Sequence, residues 1–146
     1  MLANRSVPTD TVLPHVTYKN LPEAIRWLTG TLGFVEDYRY GDPVSGAQIH
    51  LGGAIIQVNQ ARGDYRSPAE LGFGTQSLTV FVENVEEHFA RARAAGVLLV
   101  EELHETAYGE LQYALRDLEG HLWLFSRHVR DLSPETWGAT PAREAR

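Results

Sequence analysis

Six histidines and no cysteine set the range of chemistry open to this chain. His15 and His50 fall in segments typical of β-strands, and His104 lies where a predicted strand ends. His15 could act as a general base, bond to a ligand, coordinate a metal, or pack as a hydrogen-bonded histidine. His50, close to Gln48, could face a ligand or solvent. The three histidines together could form a metal site, although their spacing resembles no helical HxxxH motif.

Other polar and aromatic residues carry weaker signals. Ser77 has no histidine or carboxylate in its own segment, which argues against a serine nucleophile. Tyr65 and Tyr108 could each close over a ligand as an aromatic lid, or belong to plain connecting loops. His121 is predicted to form a structural hydrogen bond. The side chains of Glu101, Glu102, His104 and Glu105 are predicted to be solvated at the end of a strand. His88 and His128 are predicted to lie on the surface.

Composition narrows the class of protein. The chain has 146 residues, 13 Lys+Arg against 19 Asp+Glu, and a net charge of −6. The missing cysteines exclude a disulfide scaffold and thiolate metal sites. The acidic balance argues against nucleic acid as a partner. No apolar run could span a bilayer, and the first ten residues lack a signal peptide's apolar centre. We therefore expect a soluble, cytoplasmic, single-domain protein with a small-molecule partner and no membrane contact.

Two similar series of elements must position these residues. Asn20 with Glu23, and Asn84 with Glu87, form capping-box patterns at the starts of two helices. Each helix is preceded by one period-two segment and followed by three. The predicted organisation is a first module over 12–60, a linker over 61–75, a second module over 76–128 and a tail over 129–146. The tail could lie along the surface through Trp137, or it could be mobile.

The two series match as an internal repeat. The run HVTYKN (15–20) aligns with TVFVEN (79–84), and each run ends on a helix-capping Asn. Further along, Gly53 aligns with Gly120, and each precedes an apolar terminal strand. Such repetition indicates a duplicated unit. The predicted fold class is α+β, with two tandem β-α-β-β-β modules forming a curved mixed sheet around a cleft.

This duplication, the LGF after the first helix and the DLEGHLWLF segment resemble the glyoxalase/bleomycin-resistance/extradiol-dioxygenase (vicinal oxygen chelate) superfamily. The segments YGELQYALRDLEGHLWLF and SPETWGA are similar to an uncharacterised bacterial subgroup of it. The resemblance implies a homodimer and a cleft with up to four metal ligands. It places those ligands at Leu13 and Gln57 in the first module and at Ser77 and Leu124 in the second.

That set of side chains is not a metal site. Leucine has no donor atom, Ser77 offers a neutral hydroxyl, and Gln57 alone is a credible oxygen donor, whereas divalent metals need three or four donors. The sequence therefore predicts that the inherited metal site is absent and that no cofactor is bound.

Strand alternation gives the predicted lining of the cleft. It mixes apolar walls with neutral hydrogen-bonding groups and has no carboxylate, as in pockets for organic ligands. The predicted ligand-binding residues are His15, Thr17, Gln48, His50, Ile55, Gln57, Asn59, Ser77, Thr79, Phe81, Leu122 and Leu124.

The resulting functional hypothesis is a metal-free protein that binds a drug or hydrophobic metabolite. Two alternatives remain open at this point. One is a metal-dependent lyase, isomerase or dioxygenase with an altered ligand set, and the other is a metal-independent enzyme that uses His15 as its acid-base residue.

Overall fold

A computed structural model describes residues 5–6 and 12–142. Two four-stranded mixed sheets and their helices make up the fold. In chain order the elements are β1 (His15–Tyr18), α1 (Leu21–Leu32), β2 (Val35–Tyr40), β3 (Gly46–Leu51), β4 (Ala54–Gln60), α2 (Pro68–Leu71), β5 (Ser77–Phe81), α3 (Val85–Ala94), β6 (Leu98–Glu105), β7 (Glu110–Arg116) and β8 (Leu122–His128). The predicted fold class, α+β with two β-α-β-β-β modules, is confirmed.

Both sheets have the same strand topology. The orders are β1-β4-β3-β2 and β5-β8-β7-β6, with the first pair parallel and the other two pairs antiparallel. His15 pairs with Gln57 in the first sheet, and Thr79 pairs with Leu124 in the second. In the internal repeat His15 aligns with Thr79, and Gln57 aligns with Leu124. The repeat read from the sequence is therefore also a repeat of sheet register.

The helix boundaries follow from the capping residues. The Asn20 side chain accepts the backbone N–H of Glu23 at 3.2 Å, and Asn84 does the same for Glu87 at 3.0 Å. In each pair the glutamate accepts the Asn side-chain amide rather than the Asn backbone N–H, so only half of the predicted capping box forms. Helix α1 ends at Gly33, whose φ of 80° is the left-handed conformation that glycine adopts without strain.

Each sheet packs one of its faces against a helix. Helix α1 contributes a buried stripe of Leu21, Ala24, Ile25, Leu28 and Leu32, which lies against the first sheet. The shorter helix α3 buries only Val85 and Ala92. In the second sheet the largest buried side chains are Tyr113, Trp123 and Phe125, whose rings contact one another. Since each buried side chain of this size contributes about 1.5–3 kcal/mol, these faces supply most of the driving force for folding.

The chain divides into two compact units. The first runs up to Gln76 and also includes Leu118–His121, and the second comprises Ser77–Asp117 and the chain from Leu122 onward. Gly120, at the turn between β7 and β8, is thus part of the first unit although its flanking strands belong to the second.

The turn Leu118–His121 is bound to the first unit by hydrogen bonds. The Glu119 carboxylate accepts the backbone N–H groups of Lys19 at 2.6 Å and Asn20 at 3.0 Å. His121 donates Nε2–H to the Thr17 carbonyl at 2.7 Å, and its ring meets Tyr18 edge-on at 4.9 Å. The structural hydrogen bond predicted for His121 is confirmed. The Asn20 backbone N–H, which Glu23 would accept in a full capping box, is therefore donated to Glu119 instead.

Three surface predictions have different outcomes. Glu101, Glu102, His104 and Glu105 are all exposed, as expected. His128 is exposed, but His88 is half-buried; its Nδ1 lies 2.5 Å from the Tyr113 hydroxyl and its ring 4.2 Å from Phe125. The surface position predicted for His88 is therefore wrong, because its place on α3 faces the aromatic core of the second unit.

The linker and the tail contain structure that the sequence pattern did not predict. Residues 68–71 form α2, and Pro134–Trp137 form a 3-10 turn. The Trp137 ring lies edge-on to Tyr108 at 5.6 Å, so this part of the tail does lie against its own unit. Tyr108 therefore contacts the tail. Residues 143–146 of the predicted tail fall outside the described residues.

Candidate functional site

The face of the first sheet opposite α1 collects seven of the predicted site residues. The strand register pairs His15 with Gln57 and Thr17 with Asn59 across β1 and β4. It also pairs Gln48 with Gln57, and His50 with Ile55, across β3 and β4. Since side chains of paired residues project to the same side of a sheet, all seven share one face.

Strand β2 adds polar residues to this face that the sequence pattern did not predict. Glu36 pairs with Ile49 and Tyr38 with Gln48, so Asp37 is an extra residue in a β-bulge. The bulge lets the neighbouring residues Asp37 and Tyr38 reach the same side, and Tyr40 follows two residues later. The prediction that the face has no carboxylate is wrong, because a bulge breaks the period-two rule on which it rested.

Asp37 is the centre of a directed chain of hydrogen bonds. The Tyr38 hydroxyl lies 3.0 Å from the Ser6 carbonyl and 3.3 Å from Gln48 Oε1, and its single proton can go to only one of them at a time. Gln48 Nε2 donates to one Asp37 oxygen at 2.9 Å. His50 Nδ1 lies 2.6 Å from the other oxygen and must donate to it. The neutral His50 ring then has its lone pair on Nε2, so the carboxylate orients His50 as a proton acceptor.

Gln57 is engaged with Tyr40. Gln57 is buried, and its Nε2 donates to the Tyr40 hydroxyl at 3.1 Å. The Tyr40 ring lies directly over Gly46, where a Cβ would overlap the phenol carbon and oxygen. Glycine at 46 is therefore required for the Tyr40 position, and Tyr40 in turn satisfies the buried Gln57 amide.

His15 is oriented by Asn59. Asn59 Nδ2 lies 3.0 Å from His15 Nδ1 and donates to it, which places the proton of the neutral imidazole on Nε2. His15 therefore presents a hydrogen-bond donor rather than a free lone pair. This geometry suits ligand binding better than the general-base role that the sequence left open.

A cavity of about 730 Å³ opens within the first unit, beside this face. Its size lies in the usual range for small-molecule sites. The lining residues are His15, Thr17, Tyr40, Ser45, Asn59, Gln60, Arg62, Tyr65, Arg66, Pro68, Leu71, Phe73, Thr75, Gln76 and His121.

The cavity includes only part of the predicted site. Of the first-module predictions, His15, Thr17 and Asn59 line it, whereas Gln48, His50, Ile55 and Gln57 do not. About half of the lining comes from residues 62–76, most of which the sequence pattern identified as a linker. Tyr65 was the one linker residue considered as a lid, and it does line the cavity. The other lining residues of this segment could have been suspected from its content of aromatic residues and arginines, which is unusual for a plain linker.

Four large, exposed apolar side chains line the cavity. Tyr65 is 72% exposed, Phe73 63%, Tyr40 48% and Leu71 45%, and all four line it. Isolated exposed apolar residues are ordinary, but a group of four at one concave site marks a binding surface. Three of the four are aromatic, which favours a flat ligand that can stack.

The remaining predicted residues lie on one face of the second sheet. Ser77 pairs with Leu122, and Thr79 with Leu124, while Phe81 pairs with Ser126. Phe81 is 58% exposed, and the buried Ser126 hydroxyl donates to Gln112 at 2.7 Å. This face is thus more apolar than that of the first sheet. None of its residues lines the cavity of the first unit.

The donor set does not fit a resident metal. In the first unit the implied ligand positions hold Leu13, with no donor, and Gln57, whose amide is bonded to Tyr40. In the second they hold Ser77 and Leu124. Across residues 5–6 and 12–142, no three His, Asp or Glu side chains come together as metal ligands. The three-histidine site considered from the sequence is therefore wrong.

The duplicated strand topology, and the polar face of the first sheet opposite α1, are those of a protein of the vicinal-oxygen-chelate type. Residues 11–125 match the model of the Glyoxalase/Bleomycin resistance protein/Dioxygenase superfamily, and the chain belongs to that superfamily. This confirms the resemblance seen in the sequence. No helix in the described part of the chain is long and apolar enough to cross a membrane.

Solved structures share this fold. TioX from Micromonospora sp. ML1 is 32% identical, with a TM-score of 0.70 over 83% of this chain and 100% of that one. Two further structures share the fold: the virulence protein STM3117 from Salmonella typhimurium (18% identity, TM-score 0.64, 83% and 98% covered) and a superfamily member from Sphaerobacter thermophilus (16%, 0.64, 80% and 97%). A search of curated proteins gave no significant match.

Proposed function

We propose that this protein binds a flat organic molecule without a metal ion, in the cavity of its first unit. The observation that carries the proposal is the group of exposed aromatic and aliphatic side chains around a concave site with neutral hydrogen-bonding groups. Superfamily membership supports a small-molecule role but leaves the ligand and any reaction open.

The cavity offers two kinds of interaction. Tyr40, Tyr65 and Phe73 provide ring faces, and each stacked ring adds about 0.5–1.5 kcal/mol beyond the area it buries. Thr17, Ser45, Asn59 and His15 provide neutral donors and acceptors around them. A ligand held by stacking and oriented by a few polar groups fits this arrangement.

The proposed absence of a metal follows from the chemistry of the inherited positions. Two of the four implied ligands are leucines, and the Gln57 amide already donates to a tyrosine hydroxyl. We expect protein purified without chelator to hold no stoichiometric transition metal, and ligand binding to be unchanged by EDTA. A tightly held metal at one equivalent would refute this part of the proposal.

The binding function can be tested with N-phenyl-1-naphthylamine, an uncharged aromatic probe whose fluorescence rises in apolar sites. We expect saturable binding that weakens about tenfold in Phe73→Ala, because one stacked ring is lost. Leu71→Ala should also weaken it. The matched control is Leu98→Ala, which removes an exposed leucine from β6, outside the cavity. Equal effects of the two leucine variants would refute cavity binding.

The Asp37–His50 pair favours a second candidate, a metal-independent enzyme. His50 Nε2 is oriented as a proton acceptor, and the His50 side chain is 36% exposed. Once a natural ligand is identified, its recovery after incubation distinguishes the two functions. Chemical conversion that is lost in His50→Gln would support the enzyme, and unchanged ligand would support the binding protein.

We also propose that the protein is a homodimer, as the superfamily resemblance implies. Size-exclusion chromatography with light scattering should give twice the 16.3 kDa chain mass. A monomer at the concentrations used for binding would refute this proposal without affecting the binding function.

A further inference from the structure

The charges around the cavity have one sign. Arg62 and Arg66 both line it, and no Asp or Glu is among the lining residues. The whole chain, by contrast, has a net charge of −6. The local excess of positive charge is therefore a property of this site and opposes the overall balance.

Both guanidinium groups keep N–H donors that are available to a ligand. Arg62 is exposed and forms no ion pair with any residue of the described ranges. Arg66 donates Nη1–H to the Tyr65 carbonyl at 2.9 Å, and its Nε lies 3.8 Å from a Glu70 oxygen. The other Glu70 oxygen accepts the backbone N–H of Ser67 at 3.0 Å, so this carboxylate is shared between helix capping and a long ion pair.

The charged and aromatic groups come from the same short segment. Arg62, Tyr65, Arg66 and Phe73 all lie within residues 62–73 and all line the cavity. His15 adds a neutral N–H donor, because its Nδ1 accepts from Asn59. The lining thus combines ring faces with N–H donors, and guanidinium groups recognise planar anionic groups in particular.

We infer that the cavity selects a flat aromatic molecule bearing an acidic group, such as a carboxylate or sulfonate, which pairs with Arg62 and Arg66. This inference rests on the proposed binding function and specifies its ligand class. The net negative charge of the chain slows the approach of anions at low salt, so the selectivity comes from short-range pairing at the two arginines.

The test compares two probes with the same ring skeleton. 8-Anilino-1-naphthalenesulfonate carries a sulfonate, and N-phenyl-1-naphthylamine does not. We expect Arg62→Gln and Arg66→Gln each to weaken sulfonate binding about tenfold, which corresponds to about 1.4 kcal/mol, and to change binding of the uncharged probe less than about twofold. Arg26→Gln is the control, because it removes the same charge from the exposed surface of α1.

Each outcome separates the two proposals. If Phe73→Ala weakens both probes but the cavity arginine variants weaken neither, the binding function stands and the acidic ligand class is refuted. If Arg26→Gln weakens the sulfonate as much as Arg62→Gln, the effect is one of net charge and the inference is overturned. If Phe73→Ala affects neither probe, the cavity is not the binding site and both proposals fail.

Discussion

Removal of the Glu119 carboxylate should destabilise the first unit strongly. Glu119 is 9% exposed and accepts two backbone N–H groups, from Lys19 at 2.6 Å and Asn20 at 3.0 Å. Both donors precede helix α1, where a negative charge also interacts favourably with the helix dipole. Hydrogen bonds to a charged group contribute about 1.5–3 kcal/mol each. Because the donors are only part-buried and can bind water in the variant, we expect Glu119→Ala to cost about 3 kcal/mol.

The assay is urea unfolding followed by far-ultraviolet circular dichroism, with the free energy of unfolding extrapolated to water. Glu119→Gln should also destabilise, since one amide oxygen can replace only one of the two accepting oxygens. The control is Glu86→Ala, which removes an exposed glutamate paired with Arg127 and should cost less than about 1 kcal/mol. If Glu119→Ala costs no more than Glu86→Ala, the proposed role of this turn in the first unit is wrong.

Three further outcomes are expected. Gly46→Ala should displace Tyr40 and leave the buried Gln57 amide without its partner, which should lower the free energy of unfolding by about 1–3 kcal/mol. The same variant should weaken N-phenyl-1-naphthylamine binding. Unchanged stability and binding would contradict the packing described. Burial raises the pKa of Tyr113, so the unfolded chain loses the phenol proton at a lower pH than the folded chain does. The free energy of unfolding should therefore fall as pH rises above about 10. In Tyr113→Phe, urea unfolding should show a smaller fall. Asn84→Ala should cost about 1 kcal/mol in urea unfolding through loss of the α3 cap, and no change would show that the cap is dispensable.

Local signals in the sequence were sufficient for the two longer helices, α1 and α3, and for most strands. Asn20 and Asn84 cap their helices, and Gly33 ends the first one, because these effects involve residues that are close neighbours along the chain. The alternation of Val16 and Tyr18 with His15 and Thr17 likewise predicts which face is buried. Such patterns depend on the backbone period alone, so no tertiary contact is needed to interpret them.

The site was predicted less completely, for two separate reasons. Asp37 and Tyr38 reach the same face through a bulge, which depends on how β2 pairs with β3 and leaves no mark in a period-two pattern. The linker residues Arg62, Tyr65 and Phe73 line the cavity because α2 folds back onto the first unit, where the Ala69 backbone N–H donates to the Glu119 carbonyl at 2.9 Å. A contact between segments so far apart along the chain cannot be inferred from local spacing.

The sequence by itself determined the duplicated architecture and the capped helices, because both depend on residue type and spacing along the chain. It also has leucines, which lack donor atoms, at positions 13 and 124, where the superfamily resemblance implies metal ligands. Only the tertiary structure decided which polar groups satisfy one another and which line a cavity. Pairing such as that of Gln57 with Tyr40, or of Glu119 with Lys19, arises where distant segments pack together, and there the geometry of packing selects the partner.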